Sequence, residues 1–180
     1  MKRPLKVLIF ISLLAAILSI TAPLSFNIGV VPITLATFTI YLIGGITKRL
    51  NGVSAVMLYI IIGIIGVPVF SNFRGGISII IGPTGGFILS YIPMALIISL
   101  MTSINKGKIY WYYISMLIAT IVCYLLGSIW FMLVMNVNFV DTLKICVLPF
   151  IVFDLVKIAI AGTVSYILNR KANFEEMFGI

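Results

Sequence analysis

Leu148-Pro149-Phe150-Ile151-Val152-Phe153-Asp154-Leu155-Val156-Lys157 sets a carboxylate and an ammonium inside an apolar segment. Charge in hydrocarbon is costly, and ionisable groups at membrane depth face a protein interior or a cavity. On a helix Asp154 and Lys157 stand three apart and share a face, with Val147, Phe150, Ile151, Ile158 and Ala161 alongside. Two readings of the pair stand together. It is an internal ion pair that fixes packing, tolerated only with good geometry, or it is a polar site for a ligand. Pro149, just over one turn before Asp154, frees a backbone carbonyl and predicts a kink near the pair.

The rest of the chain puts this segment in a membrane. The 180 residues are 62% hydrophobic and 9% charged, where a soluble domain is about half apolar and about a quarter charged. Mean hydropathy is +1.28. The expectation is an all-α integral membrane bundle, one domain over residues 1–180. At roughly 20 residues per span the length allows six helices. Apolar runs fall at about 5–22, 32–47, 53–67, 78–102, 110–135 and 143–168. The first follows Met1-Lys2-Arg3-Pro4-Leu5-Lys6, a start that also suits a signal peptide. Its length and the lack of a clear small-x-small cleavage site favour a retained helix. Pro32 suits a helix start. The third run is short, carries Gly63 and Gly66, and predicts tight packing or a partial break. Residues 136–141 read as a polar turn, and a short amphipathic tail follows Lys171.

The net charge of +8 does not point to nucleic acid, because the basic residues sit in short loops between apolar runs. Six spans put both termini on one side, with Lys2, Arg3, Lys6, Lys48, Arg49, Lys106, Lys108, Arg170 and Lys171, nine of the twelve cations. The positive-inside rule makes that side cytoplasmic. Arg74 and Lys144 fall on the other side. Tyr110-Trp111-Tyr112-Tyr113 opens the fifth run as an interfacial belt. Ser12 and Ala16, and Ala15 and Ser19, are small residues four apart on the first helix, a spacing that lets another helix approach closely, inside the chain or from a partner.

No histidine is present, and Cys123 and Cys146 have neither zinc-site nor disulfide spacing, so neither metal nor cofactor is expected. Gly82-Pro83-Thr84-Gly85-Gly86 reads equally as a tight turn and as a helix start open to an anion. Asn72 and Arg74 precede it in an outward loop, where an arginine can meet an anionic solute. Tyr124, Gly127 and Trp130 are spaced by three along one face, a stripe that suits a core as well as a ligand. No G-x-x-x-x-G-K-[ST] phosphate loop, G-x-S-x-G or H-E-x-x-H occurs. A membrane enzyme using Asp154 and Lys157 as acid and base would lack an evident nucleophile.

Four segments together resemble the BioY family of biotin-specific substrate-binding (S) components of energy-coupling factor (ECF) transporters. They are Val31-Pro32-Ile33-Thr34-Leu35, Gly63-Ile64-Ile65-Gly66-Val67-Pro68-Val69-Phe70, Gly82-Pro83-Thr84-Gly85-Gly86-Phe87 and Leu148 to Lys157, in matching order and spacing. Gly127-Ser128-Ile129-Trp130 is similar to the family's fifth-helix G-x-x-W. The chain departs at Ala36, where the family often has Gln, and in the first helix, where Ser12 and Ala16 are the nearest equivalent of A-x-x-x-A. The resemblance implies a six-helix cell-membrane protein that binds biotin outside. A transmembrane coupling subunit and two ATPases would drive release inward by tipping it in the membrane. It implies that Asp154 accepts ureido N–H bonds and Lys157 donates to a ligand oxygen. Thr84, Gly85 and Asn72 would close the opposite side, with Arg74, Tyr124 and Phe150 completing the site. An S component for thiamin or riboflavin would share the fold.

Overall fold

A computed structural model describes residues 3–27, 31–48, 50–104 and 108–171. Lys2, Arg49, Lys106 and the tail 172–180, on which part of the orientation argument and the amphipathic tail rest, lie outside the described residues. Among the described residues, eight helices and one hairpin follow in order: α1 (Arg3–Thr21), β1 (Ser25–Asn27), β2 (Pro32–Thr34), α2 (Ala36–Ile46), α3 (Asn51–Ile64), α4 (Ile77–Ile81), α5 (Gly85–Ile104), α6 (Ile109–Met135), α7 (Phe139–Cys146) and α8 (Leu148–Lys171). A 3₁₀ turn, Ser71–Phe73, precedes α4. Among the described residues, three helices are long and apolar enough to cross a bilayer: Gly85–Ile104, Ile109–Met135 and Leu148–Arg170. Outward-facing leucines, isoleucines and valines along them, among them Leu125, Leu133, Val152 and Leu155, are exposed, as lipid contact requires. The chain is a multi-pass membrane protein. The apolar helices Leu5–Thr21, Ala36–Ile46 and Asn51–Ile64 are shorter.

α2 is the central post. It packs on α1, α3, α5 and α8, while α5 lies along α6 and α6 along α8. Tyr41, Ile40 and Ile43 of α2 are fully enclosed, as are Met94 and Ile98 of α5 and Met116 of α6. Close helix approach rests on glycine at the α5–α6 contact. A Cβ on Gly86 would lie 2.2 Å from the Trp130 Cβ, and one on Gly127 would lie 2.3 Å from the Phe87 ring. The glycine-rich third run packs the same way, with Gly63 under the buried Phe70 ring.

Three boundaries differ from the sequence expectation. Pro32 opens a strand, and the helix begins at Ala36. Val31, Pro32 and Ile33 are buried, and β2 pairs antiparallel with β1, Phe26 opposite Ile33. Proline is accepted at the first residue of a two-stranded edge because its missing N–H is not needed there. Thr34 then takes the Ala36 N–H on its hydroxyl at 2.7 Å and turns the chain into α2. The run at 143–168 is two helices, broken at Val147, whose φ/ψ of −124/−57 is non-helical. Residues 139–141 belong to α7: the Asn138 side chain caps it by accepting from Asp141 N at 2.9 Å. Pro149 therefore stands in the first turn of α8, where its missing N–H costs nothing, and the bend lies before it. The fourth run is likewise divided, into α4 and α5, by the turn at residues 82–84.

Candidate ligand-binding site

Asp154 and Lys157 lie in the first half of α8 and point inward, with 6% and 13% of their side chains exposed. Their Nζ–Oδ1 distance is 3.0 Å. Asp154 Oδ1 also accepts from the Thr37 hydroxyl at 3.3 Å, and Oδ2 accepts from the Tyr124 hydroxyl at 2.6 Å. Lys157 Nζ donates to Thr34 O at 2.9 Å and to Thr37 Oγ1 at 3.0 Å. All three ammonium protons thus have acceptors. The carboxylate offers about four acceptor positions, and three are filled by Thr37, Lys157 and Tyr124. One position on Oδ2 remains.

The pair lines a small cavity of about 50 Å³ between α2, α5, α6, α7 and α8, roofed by β2. Pro32 and Thr34 form the roof, and Phe87, Tyr91, Met94 and Phe150 form apolar and aromatic walls. Thr120 and Tyr41 add a second polar pair. Thr120 gives its proton to Met116 O at 2.7 Å, so Tyr41 is the donor in its 2.5 Å contact with Thr120. The cavity therefore has one charged edge and a mostly apolar, aromatic wall, the usual character of a small-molecule site.

The residues proposed from sequence divide cleanly. Asp154, Lys157, Tyr124 and Phe150 meet at the cavity. Thr84 and Gly85 are not among its lining residues; they form the turn into α5. Gly82 O in that turn accepts Trp130 Nε1–H at 3.0 Å, which locks it to α6. Asn72 also stands outside the lining. It takes a left-handed φ of 59°, a region asparagine tolerates better than most residues. Its backbone N–H donates to Ser25 Oγ at 2.9 Å and its Oδ1 accepts from the same hydroxyl at 3.0 Å. Asn72 thereby ties the roof hairpin to the loop before α4. Arg74 is exposed and its Nε donates to Ser71 O at 3.4 Å.

Thr37, Tyr41, Tyr91, Thr120 and Cys123 line the cavity without having been singled out in sequence. A signal was present. Thr34, Thr37 and Tyr41, and Thr120 and Tyr124, recur at three or four residues within apolar runs, which on a helix makes a polar stripe.

Comparison with known proteins agrees with this architecture. The profile of the BioY family matches residues 1–174. A probable biotin transporter BioY of Pyrococcus horikoshii is 38% identical over 155 residues, covering 86% of this chain and 91% of that protein. The biotin transporter BioY of Thermotoga maritima is 32% identical over 166 residues, covering 91% and 95%. Biotin transporter BioY2 of Lactococcus lactis subsp. cremoris is 33% identical over 150 residues, covering 83% and 82%. In three dimensions the chain superposes on a crystal structure of the S-component for biotin from an ECF-type ABC transporter, with a TM-score of 0.89 over 99% of both chains at 24% identity. By profile and relatives, the chain belongs to the BioY family.

Proposed function

We propose that the protein is the biotin-binding S component of an ECF-type vitamin uptake transporter, and that biotin occupies the cavity at Asp154. The observation that carries this reading is the Asp154 carboxylate, buried and held by three donors, with one acceptor position left on Oδ2 at the cavity. A ureido N–H suits that position, and a charge-assisted bond is among the stronger ones. The apolar ring and chain of biotin suit Phe87, Met94 and Phe150. The reading assigns binding and release, and no chemistry on the ligand.

Sites for ligands of this size run from about 300 Å³ upward, against about 50 Å³ here. Entry therefore requires the β1–β2 roof to lift. The Lys157–Thr34 O bond is the tie that holds roof to α8. A ligand oxygen that takes over this Lys157 proton frees the roof, so Lys157 links occupancy to roof position. Removing the Tyr124 hydroxyl (Tyr124→Phe) is expected to weaken biotin binding by about tenfold or more, because bonds to charged groups contribute about 1.5–3 kcal/mol. Equilibrium dialysis with labelled biotin checks this; an unchanged affinity places the ligand elsewhere.

In this reading the chain is one membrane domain of six spans with both termini cytoplasmic. Its α3 is only 14 residues, so it crosses with help from the loop and α4 that follow. A transmembrane coupling subunit and two ATPases supply the energy, in keeping with the missing phosphate loop. Of the small residues on α1, Ser12 and Ala16 face outward, whereas Ala15 is buried and Ser19 donates to Ala15 O at 2.8 Å. Ser12 and Ala16 are thus the docking candidates, and Ala15 and Ser19 serve internal packing. The Ser12→Leu/Ala16→Leu variant is expected to bind biotin normally and to lose about fivefold or more of ATP-driven uptake, because a bulky residue keeps a helix from close approach. Normal uptake in that variant removes the docking assignment.

The test of the whole reading is mass spectrometry of small molecules released from the purified protein, with biotin, thiamin and riboflavin then offered in competition. Recovered biotin, displaced by biotin alone, is the expected result. No bound biotin and no uptake by the protein when biotin is offered would overturn it.

A further inference from the structure

The hydroxyl and ammonium protons around the Asp154 cavity can be followed one by one. Lys157 gives its three to Thr34 O, Thr37 Oγ1 and Asp154 Oδ1. The Thr37 and Tyr124 hydroxyls donate to Asp154. Tyr41 donates to Thr120, and Thr120 donates to Met116 O. Two lining hydroxyls remain, that of Thr34 on the roof and that of Tyr91 on α5. They are side-chain hydrogen-bond partners of each other. Thr34 Oγ1 already accepts the Ala36 N–H at 2.7 Å, so it meets Tyr91 as the donor. One bond between two hydroxyls leaves one proton, and that proton is on Tyr91. It has no acceptor among the described residues.

Tyr91 is 6% exposed, and its proton is therefore removed from bulk water. Thr34 lines the cavity too, so contact with it brings the phenol oxygen, and not the ring alone, to the cavity under the roof. A buried donor without an acceptor carries its full desolvation cost until a ligand atom meets it. The cavity thus offers one spare donor from α5, on Tyr91, and one spare acceptor from α8, on Asp154 Oδ2. A carbonyl oxygen beside an N–H satisfies both, which is the edge that a urea presents. Lys157 is placed differently. It has to release Thr34 O before it can serve a ligand, whereas Tyr91 gives up no acceptor. The phenol is also neutral, so it favours a carbonyl oxygen without attracting anions in general.

We propose that Tyr91 is a specificity-determining residue that donates its hydroxyl proton to the ureido carbonyl oxygen of biotin. The proposal rests on the reading that biotin occupies the cavity at Asp154. Its test is the affinity of Tyr91→Phe and Tyr124→Phe for two ligands, biotin and 2-iminobiotin, at neutral pH. In 2-iminobiotin a protonated guanidinium replaces the urea and has no acceptor for a phenol, while its N–H groups still suit Asp154. Tyr91→Phe is expected to weaken biotin about tenfold and 2-iminobiotin by less than about twofold. Tyr124→Phe, which acts through the carboxylate, should weaken both. Dissociation constants for the two ligands are read on one preparation, so their ratio does not depend on how much of a variant is folded. If Tyr124→Phe weakens both ligands and Tyr91→Phe leaves biotin unchanged, or weakens the two equally, the role of Tyr91 is overturned and the Asp154 site stands. If neither variant changes biotin affinity, biotin lies elsewhere and both assignments fall.

Discussion

Asp154→Ala is expected to abolish biotin binding, with affinity falling by about a hundredfold or more. Truncation removes the one acceptor position open to a ureido N–H. It also leaves the Lys157 ammonium with only Thr34 O and Thr37 Oγ1, and the Tyr124 hydroxyl without its acceptor. Breaking a buried pair on one side costs about 3–5 kcal/mol, so the single variant also loses stability. The apolar double variant Asp154→Leu/Lys157→Met separates the two effects. Replacing both members of a buried pair by apolar residues of similar volume is often neutral or stabilising. The double variant should therefore unfold at or near the wild-type temperature in detergent and still bind no biotin. An ion pair kept only for packing gives a different result: a stable double variant whose biotin affinity matches the wild type. Scintillation proximity binding and thermal unfolding on the same preparations read both quantities.

Gly85→Ala is expected to damage the fold itself. An added Cβ would lie 1.6 Å from Ile80 O and 2.5 Å from Ile80 C. These are backbone atoms of α4, and no rotamer change relieves the overlap. The turn that places them is held by Gly85 N donating to Gly82 O at 3.1 Å and Gly82 N donating to Ser78 O at 3.0 Å. Overpacking costs about 1–3 kcal/mol, more where backbone has to move, and here α4 has to move. The expected outcome is a loss of about 3 kcal/mol or more in stability, with biotin binding lost in proportion to folded protein. Thr84→Val, next to it and outside the cavity lining, should leave affinity within about twofold, since substitutions away from such contacts stay within about 0.5 kcal/mol. If Gly85→Ala unfolds like the wild type but no longer binds biotin, the glycine acts on the ligand directly and the turn is not its role.

The membrane class and the helical bundle were readable from composition and run length, because hydrocarbon burial leaves a chain little choice but helix. The Asp154–Lys157 ion pair at the cavity was readable for a related reason: two charges in an apolar segment need partners, and a spacing of three supplies one. Less visible was what divides elements of similar hydropathy. Val31-Pro32-Ile33-Thr34 has the apolarity of a helix start, yet pairs with β1, because tertiary burial under the hairpin and not local pattern decides its state. The break at Val147 depends on Asn138 capping a separate short helix, a signal that looks like a turn when the residues are read as polar. Asn72 shows the same limit beside the cavity. Its residue type suggested a ligand contact, whereas its side chain holds the roof through Ser25, 47 residues away in sequence. Thr84 and Gly85 were flagged by glycine content, which marks close approach without saying to what; here the neighbours are Ile80 and the Trp130-anchored turn.

The most direct measurement is an experimental structure of the purified protein with biotin bound. The account predicts the ureido group within hydrogen-bonding distance of Asp154 Oδ2, about 2.7–3.2 Å, the ring against Phe87 and Phe150, and the β1–β2 roof displaced from Lys157. Biotin held elsewhere, with Asp154, Lys157, Thr34 and Tyr124 still bonded only to one another, would contradict it.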